Sequence, residues 1–461
     1  MRKITFFLMF MLFAFVLKAN DGVMLTLKAE PGKSLDFDVY VTNELQNISV
    51  DWGDGNKQVY ENVASIQANS DLPTKISGTV AGEGTITFYG DPLQLYSFES
   101  VAAFDGSKIS VVDLSAVINL EQLTMQSHAL TQIDLNKLTK LTSLTLSGNA
   151  LSTIDLSQCS GIEVLVVSDN KLSKIDLSNL SKLSSLTLSN NTQLSEVVWP
   201  KEAASFKTIY ALNLSLSGAL DLTQYPMLNF VNFNNNKLTS LDLSGLEMDR
   251  VFCMNNQLSE LKVDNVISLL NCSGNRLTPA TLPAVSPTTY TYAPQAVYTL
   301  TDAPVMTGED IDLSMLVSSN DEVTYVWRYD ETTVADASLY TVENGVTVFN
   351  AVPLDMVYCE IVSTLYPKFT GANAFVTTAI KVEKGASSID ETSAETSVRI
   401  YAVAGRVVAE NLLPDTSVAV YSLSSVKCGE KECVDGKVEF DLPQGVYLVV
   451  AGKEAYKVIV P

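Results

Sequence analysis

Histidine is almost missing from this chain: among 461 residues there is one, His128. His-rich zinc sites are thereby excluded, and any Ser-His-Asp or Cys-His arrangement would have to use this one residue. Cysteine is scarce as well, and six in a chain of this length do not make a disulfide framework. Cys159, Cys253, Cys272 and Cys359 sit in apolar patterns and read as small core residues. Cys428 and Cys433, in CGEKEC, are close enough to close a hairpin-sized loop, so a disulfide and two free thiols both remain open. Positive charge is sparse: 30 Lys and Arg face 52 Asp and Glu, a formal net charge of −22. Such a surface is repelled by nucleic acid and anionic lipid, so neither is expected as a partner.

Long apolar runs are confined to the start, MRKITFFLMFMLFAFVLKAN. Arg2 and Lys3 form a basic segment, Ile4 to Leu17 an apolar one, and Ala19 is a small residue suited to cleavage. This reads as a secretory signal peptide over 1–19, with no Cys after it for a lipoprotein anchor. The expected location is therefore exported, at the cell surface or extracellular. No later apolar stretch reaches the roughly 20 residues needed to span a bilayer. The length exceeds one hydrophobic core and points to three or four domains.

What is abundant is repetition. LTSLTLSGNALSTIDLS (Leu141–Ser157) returns about every 21 residues. The frame L-x-x-L-x-L-x-x-N-x-L-x-x-L-D-L-S can be laid down eight times, from Leu120, Leu141, Ile162, Leu183, Ile209, Leu228, Met248 and Ile267. A partial unit, ISVVDLS, precedes them, and one stretch around VVWPKEAASF widens the period. L-x-L makes a short strand with alternate residues inward. One such strand cannot bury its face alone, so successive turns must stack into a solenoid. I-D-L-S also alternates, which predicts a second short strand per turn and two parallel sheets, and no helical period appears in these units. The pattern is the leucine-rich-repeat signature, and it resembles the repeats of exported Bacteroidetes leucine-rich-repeat proteins. The fold class expected is mostly β, a solenoid of about eight turns flanked by β-sandwich domains.

Three columns of the frame are candidates for chemistry. The Asn column reads His128, Asn149, Asn170, Asn191, Ser217, Asn236, Asn256 and Asn275. An inward Asn supplies an acceptor and two donors to backbone groups that water cannot reach, so this column reads as structural stitching, and His128 as a structural imidazole. The Asp column is Asp113, Asp134, Asp155, Asp176, Val198, Asp221, Asp242 and Lys262. These side chains point outward, about 4.8 Å apart from turn to turn. A cation stripe and a solvated edge bonded to nearby Ser or backbone are the two readings. The second is preferred because Val198 and Lys262 interrupt the row, and no metal or cofactor is expected. The outward positions of the first strand are small and mostly polar in the early turns, such as Ser143, Thr145 and Ser147. The fifth turn is read as Ala211, Asn213 and Ser215. In the last three turns the same positions become Phe230, Arg250, Phe252, Met254 and Leu269. Aromatic, Met and Arg side chains are enriched at binding hot spots. These five residues are the candidate ligand-binding site; packing against the next domain of the chain is the alternative.

The flanking segments read as β domains. Residues 20–106 carry short strands and DWGDG, which resembles the WGDG turn of PKD-like β-sandwich domains. That likeness implies a buried Trp52 and turn-forming Asp51 and Asp54, not an acid–base pair, and a β cap would cover the first turn's core. The solenoid is expected over 107–283, ending where Pro279, Pro283, Pro287 and Pro294 cluster. Residues 284–383 resemble a bacterial immunoglobulin-like sandwich through Trp327 and Cys359, with Leu313 near where a disulfide partner would stand. Residues 384–397, KGASSIDETSAETS, read as a flexible linker. Residues 398–461, with RIYAVAGR, GVY and KVIV, resemble the C-terminal domains of Bacteroidetes secreted proteins, including type IX sorting domains. That implies an address or anchoring module, although it departs from the sorting pattern in ending on Pro461 without a basic residue. The function expected is non-enzymatic recognition of an extracellular protein or glycan. A spacer without a ligand is the second reading and a glycan-active enzyme the third, disfavoured because no catalytic cluster is visible and repeat position accounts for the Asp residues.

Overall fold

The structure is a computed structural model and describes residues 22–43, 46–385, 398–403, 405–423, 426–452 and 454–460. The signal-peptide segment 1–19 and most of the linker, 386–397, lie outside the described residues. The chain divides after Glu383 into two compact units. Strand dominates and the fold is a leucine-rich-repeat β-solenoid of about nine turns with further β domains.

The solenoid's main sheet is parallel. Its rungs are Gln122–Gln126, Ser143–Thr145, Val164–Val166, Ser185–Thr187, Thr208–Tyr210, Phe230–Asn232, Glu247–Phe252, Asn265–Asn271 and Thr289–Thr291. The middle inward residues stand in one row, from Leu123 through Leu144, Leu165, Leu186, Ile209, Val231 and Val251 to Leu270. All eight are 0% exposed. Fully burying a side chain of this size contributes roughly 2 kcal/mol, so the row of Leu, Ile and Val is what holds the turns in register. On the other side of the turns stand two shorter parallel sheets, one of Lys174–Asp176 and Glu196–Val198, the other of Ser217–Asp221, Lys237–Asp242 and Glu260–Lys262. In the first turns the corresponding backbone is not regular strand.

Three expectations from the frame are corrected. Ile209 is not the opening Leu-type position of the fifth turn: it pairs with Leu186 and Val231, and the opening position is Phe206, fully buried against Tyr225. Ile267 is 59% exposed, because a bulge in the strand lets Val266 take the inward place opposite Met248. The solenoid also does not stop at 283. Thr289–Thr291 adds a ninth rung, although the prolines and aromatics there hide the repeat from view.

The cap is continuous with the solenoid. Leu95–Val101 pairs in parallel with Gln122–Gln126 and antiparallel with Ser34–Val41, so one sheet runs from the cap into the repeats. Val23–Ala29 pairs with Ile109–Asp113, the partial repeat, on the other side. Inside, Phe37 meets Trp52, Phe88 and Phe98. Gly78 passes beneath Trp52 so closely that a Cβ there would stand 2.1 Å from the indole. The DWGDG segment is a turn: Asp51 Oδ1 accepts from the backbone N–H groups of Gly53 and Gly55 at 2.8 and 3.0 Å. Asp54 accepts from the Asn56 N–H, which holds its carboxyl below the usual range.

After the ninth rung the chain builds two three-stranded sheets around Trp327, whose indole N–H donates to Thr347 Oγ1 at 3.2 Å. Trp327 faces Cys359 across the Val323–Arg328 and Tyr358–Ser363 strands. This domain meets the end of the solenoid. Tyr292 packs edge-on against Tyr366 and Phe369, and Ala280 N–H donates to the Leu316 carbonyl at 3.0 Å. The second unit carries a three-stranded and a four-stranded sheet with its own core, including Val407, Val420, Phe440 and Val449. Cys428 and Cys433 are free there, the first exposed and the second buried.

Candidate functional site on the strand face

The Asn column is internal stitching in atomic detail. Asn170 Oδ1 accepts from Leu151 N–H at 3.0 Å, while its amide nitrogen donates to the carbonyls of Leu146 and Val167 at 2.9 and 3.2 Å. Asn149, Asn191, Asn236, Asn256 and Asn275 repeat the pattern. The row begins at His128, whose Nδ1 accepts from Ile109 N–H at 3.2 Å while Nε2 meets Ser100 Oγ at 3.0 Å. It ends at Gln295, which accepts from Leu277 N–H and donates to the Cys272 carbonyl.

The fifth turn breaks the row, and not at Ser217, which is exposed in a strand. Leu214 occupies the ladder place. The preceding turn is one residue longer between Asn191 and Val198 than between Asn170 and Asp176. That extra residue lets Leu194 N–H find the Asn191 carbonyl at 2.9 Å, so no side chain from the next turn is needed. Sequence counting across this insertion placed the fifth turn's outward residues at Ala211, Asn213 and Ser215. Ala211 is fully buried, and the outward residues are Thr208, Tyr210 and Leu212.

The Asp column is an edge. Each carboxylate accepts from the backbone N–H two residues on, as Asp155 does from Ser157 at 2.9 Å and Asp242 from Ser244 at 3.0 Å. Bonds from Ser115, Ser157, Ser178 and Ser244 hold the carboxyls of Asp113, Asp155, Asp176 and Asp242 below the usual carboxylate range. Lys262 closes the row, 3.4 Å from Asp242 and 3.2 Å from Glu260. The thiols are core groups: burial pushes Cys159 up to about 11 and Cys272 and Cys359 to about 12.

The strand face holds the predicted site residues together. Phe230 pairs in register with Arg250 and Arg250 with Leu269, while Phe252 stands beyond Asn232. Phe230 and Phe252 are half-buried with ring centroids 5.8 Å apart. Tyr210, which sequence counting missed, extends the strip: its ring lies 4.6 Å from Phe230, and it is 37% exposed. Arg250 is exposed and its guanidinium is 3.3 Å from Asp249. Met254 Sδ receives the Asn271 amide at 3.6 Å. Contacts with the following domain run through Ala280, Leu282, Tyr290 and Tyr292.

A second amide ladder borders this face. Asn190 donates to Asp169, Asn213 to Asn190, Asn235 to Asn213 and Asn255 to Asn235, at 2.7 to 2.9 Å. Each of these residues has a positive φ, between 54° and 64°. The signal was in the sequence: from Asn149 to Asn275 the residue before each ladder position is Gly, Asn or Asp, types that enter the left-handed region at low cost.

No protein-family model matches the chain, and no curated protein matches it. Among solved structures it is similar to the functional domain of InlJ from Listeria monocytogenes, at 20% identity and a TM-score of 0.35. That match covers 60% of this chain and 60% of the InlJ chain. It is also similar to InlP from Listeria monocytogenes, at 19% identity and a TM-score of 0.33, over 59% of this chain and 76% of that one. Among the described residues no helix is long and apolar enough to cross a membrane.

Proposed function

We propose that this chain is a non-enzymatic recognition protein of the cell exterior, which binds an extracellular protein or glycan through the strand face of its solenoid. The observation that carries the reading is the strip Tyr210–Phe230–Phe252, flanked by Arg250, Met254 and Leu269. It lies on a face whose other outward residues are mostly small and polar. A strip of this kind asks for a partner. The buried row of Leu and Asn beneath it makes the platform rigid, so little ordering cost is left for binding.

The test is the pair Phe230→Ser and Phe252→Ser, combined in one protein and screened on a glycan array and a panel of purified extracellular proteins. Binding shown by the parent chain is expected to weaken at least tenfold, about 1.4 kcal/mol or more. Both rings are only half-buried, so the melting temperature is expected to move by a few degrees. Unchanged binding with a large fall in stability would make the strip a packing feature. Silence of the parent chain on both panels would favour the spacer reading.

A further inference from the structure

The strand face differs from the rest of this acidic protein in charge. Two outward columns run along the nine rungs, from Gln122 and Thr124 to Thr289 and Thr291, and Arg250 is the single charged residue in them. The next position is buried in several turns, at Ser147, Ser168, Ser189 and Ser273. The charge of Arg250 is countered by Asp249. Elsewhere charge stands at the margin, on residues just before the strands such as Glu163 and Lys207, and on Glu247 and Asp249 at the start of the seventh rung, all outside the outward columns. A ligand carrying many charges would therefore find no complementary partners on the face and would lose its hydration without return.

The polar groups beside the aromatic strip are fixed donors. Asn232 Oδ1 accepts from Asn234 N–H at 3.1 Å, and Asn234 Oδ1 accepts from Met254 N–H at 2.9 Å. With both carbonyl oxygens pinned by backbone, the amide NH₂ groups are held in one orientation. Among the described residues neither has a partner. Hydroxyls continue the surface at Ser185, Thr187 and Thr208. Aromatic rings, oriented uncharged donors and hydroxyls in a line along parallel rungs match a chain that is polar but uncharged, with apolar C–H patches between its hydroxyls.

We infer that the strand face takes a neutral glycan chain, lying along the solenoid over Tyr210, Phe230 and Phe252 and held by the amides of Asn232 and Asn234. This rests on the reading of the face as a recognition surface and narrows its ligand class. Rings provide contact area for sugar C–H groups at low entropic cost, and the pinned amides bond sugar hydroxyls without reorganising.

The test uses the full chain in affinity electrophoresis through neutral polysaccharides (β-glucan, α-mannan and galactan) and through heparin and hyaluronan. The same panel of purified extracellular proteins is run beside it. Retardation by at least one neutral polysaccharide is expected, changing less than twofold between 50 and 500 mM NaCl, since no ion pair is broken on release. Tyr210→Ala and Asn232→Leu are each expected to weaken it at least tenfold, with unchanged far-ultraviolet circular dichroism and melting as the check on folding. Retardation only by heparin or hyaluronan, vanishing at high salt, overturns the inference. Binding to a protein, lost in the Phe230→Ser, Phe252→Ser variant, with no neutral polysaccharide retarded, overturns it while leaving the recognition face intact. Neutral retardation unchanged in that double variant would overturn both.

Discussion

Asn256→Leu is expected to lower the free energy of unfolding by about 3 kcal/mol, measured as the shift of the solenoid's urea transition by circular dichroism. Asn256 is almost fully buried, and Leu matches its size closely, so the loss is chemical and not steric. Asn256 Oδ1 is the acceptor for Leu238 N–H at 3.0 Å, and its amide donates to the carbonyls of Phe233 and Cys253 at 2.9 and 3.1 Å. Those carbonyls keep a second donor each, Asn236 for Phe233 and Asn275 for Cys253. Leu238 N–H keeps none, and a buried unpaired donor costs roughly 1–3 kcal/mol. Adding Asn275→Leu strips the Cys253 carbonyl of both amides, so the pair is expected to cost more than the two single changes together.

The protein supplies its own control at Leu214. There the ladder place is already apolar, because the longer preceding turn closes on itself through Leu194 N–H and the Asn191 carbonyl. Leu214→Asn is therefore expected to destabilise, since its acceptor would have no N–H waiting. If Asn256→Leu cost less than 1 kcal/mol, or Leu214→Asn stabilised, the column would be decoration and water would be satisfying the turns.

The same position shows what sequence could and could not give. Leu144, Asn149 and Asp155 can be placed by counting, because each turn repeats one local geometry and each residue type fits one demand of it: an inward apolar, a buried acceptor with donors, an outward cap for a turn. Counting fails where one turn changes length. The extra residue after Asn191 and the long VVWPKEAASF loop displace the frame, which hid Tyr210 and placed Asn213 on the strand face when it belongs to the marginal amide ladder. The ninth turn escaped for a related reason. Tyr290 stands in the row where Leu, Ile or Val stands elsewhere, and Gln295 does the work of Asn, so the backbone pattern survives without the letters. Phe230, Arg250, Phe252, Met254 and Leu269 were legible because they lie beyond the insertion, where the frame is back in step. The union of cap and solenoid in one sheet left no local trace, since strand pairing between Leu95–Val101 and Gln122–Gln126 is a long-range fact.

His128 is expected to make the protein lose stability on mild acidification, and His128→Asn to abolish that loss. The imidazole takes the first ladder place, 6% exposed, accepting from Ile109 N–H through Nδ1. Burial is the main cause that depresses its pKa from 6.5 to about 4, with Lys108 pushing the same way and the Ser100 contact opposing it. In the unfolded chain the ring protonates near 6.5, whereas the folded chain keeps it neutral down to about 4. Between those values the unfolded state binds the proton that the folded state refuses, so stability is fully present above pH 6.5 and falls as the pH drops. The slope approaches ~1.4 kcal/mol per pH unit, for a total of about 3 kcal/mol by pH 4. The Asp edge works below this window, because its hydrogen-bonded carboxyls sit under their ordinary value of 3.8. Asn at position 128 would present an oxygen to Ile109 N–H as Asn149 does to Leu130, and it carries no titrating proton. Urea unfolding of both proteins at half-unit steps from pH 7 to pH 4 separates the contributions. Parallel curves for parent and variant would place the acid sensitivity elsewhere. A parent curve that bends downward below pH 6.5, beside a flatter variant, assigns it to the one imidazole in the chain.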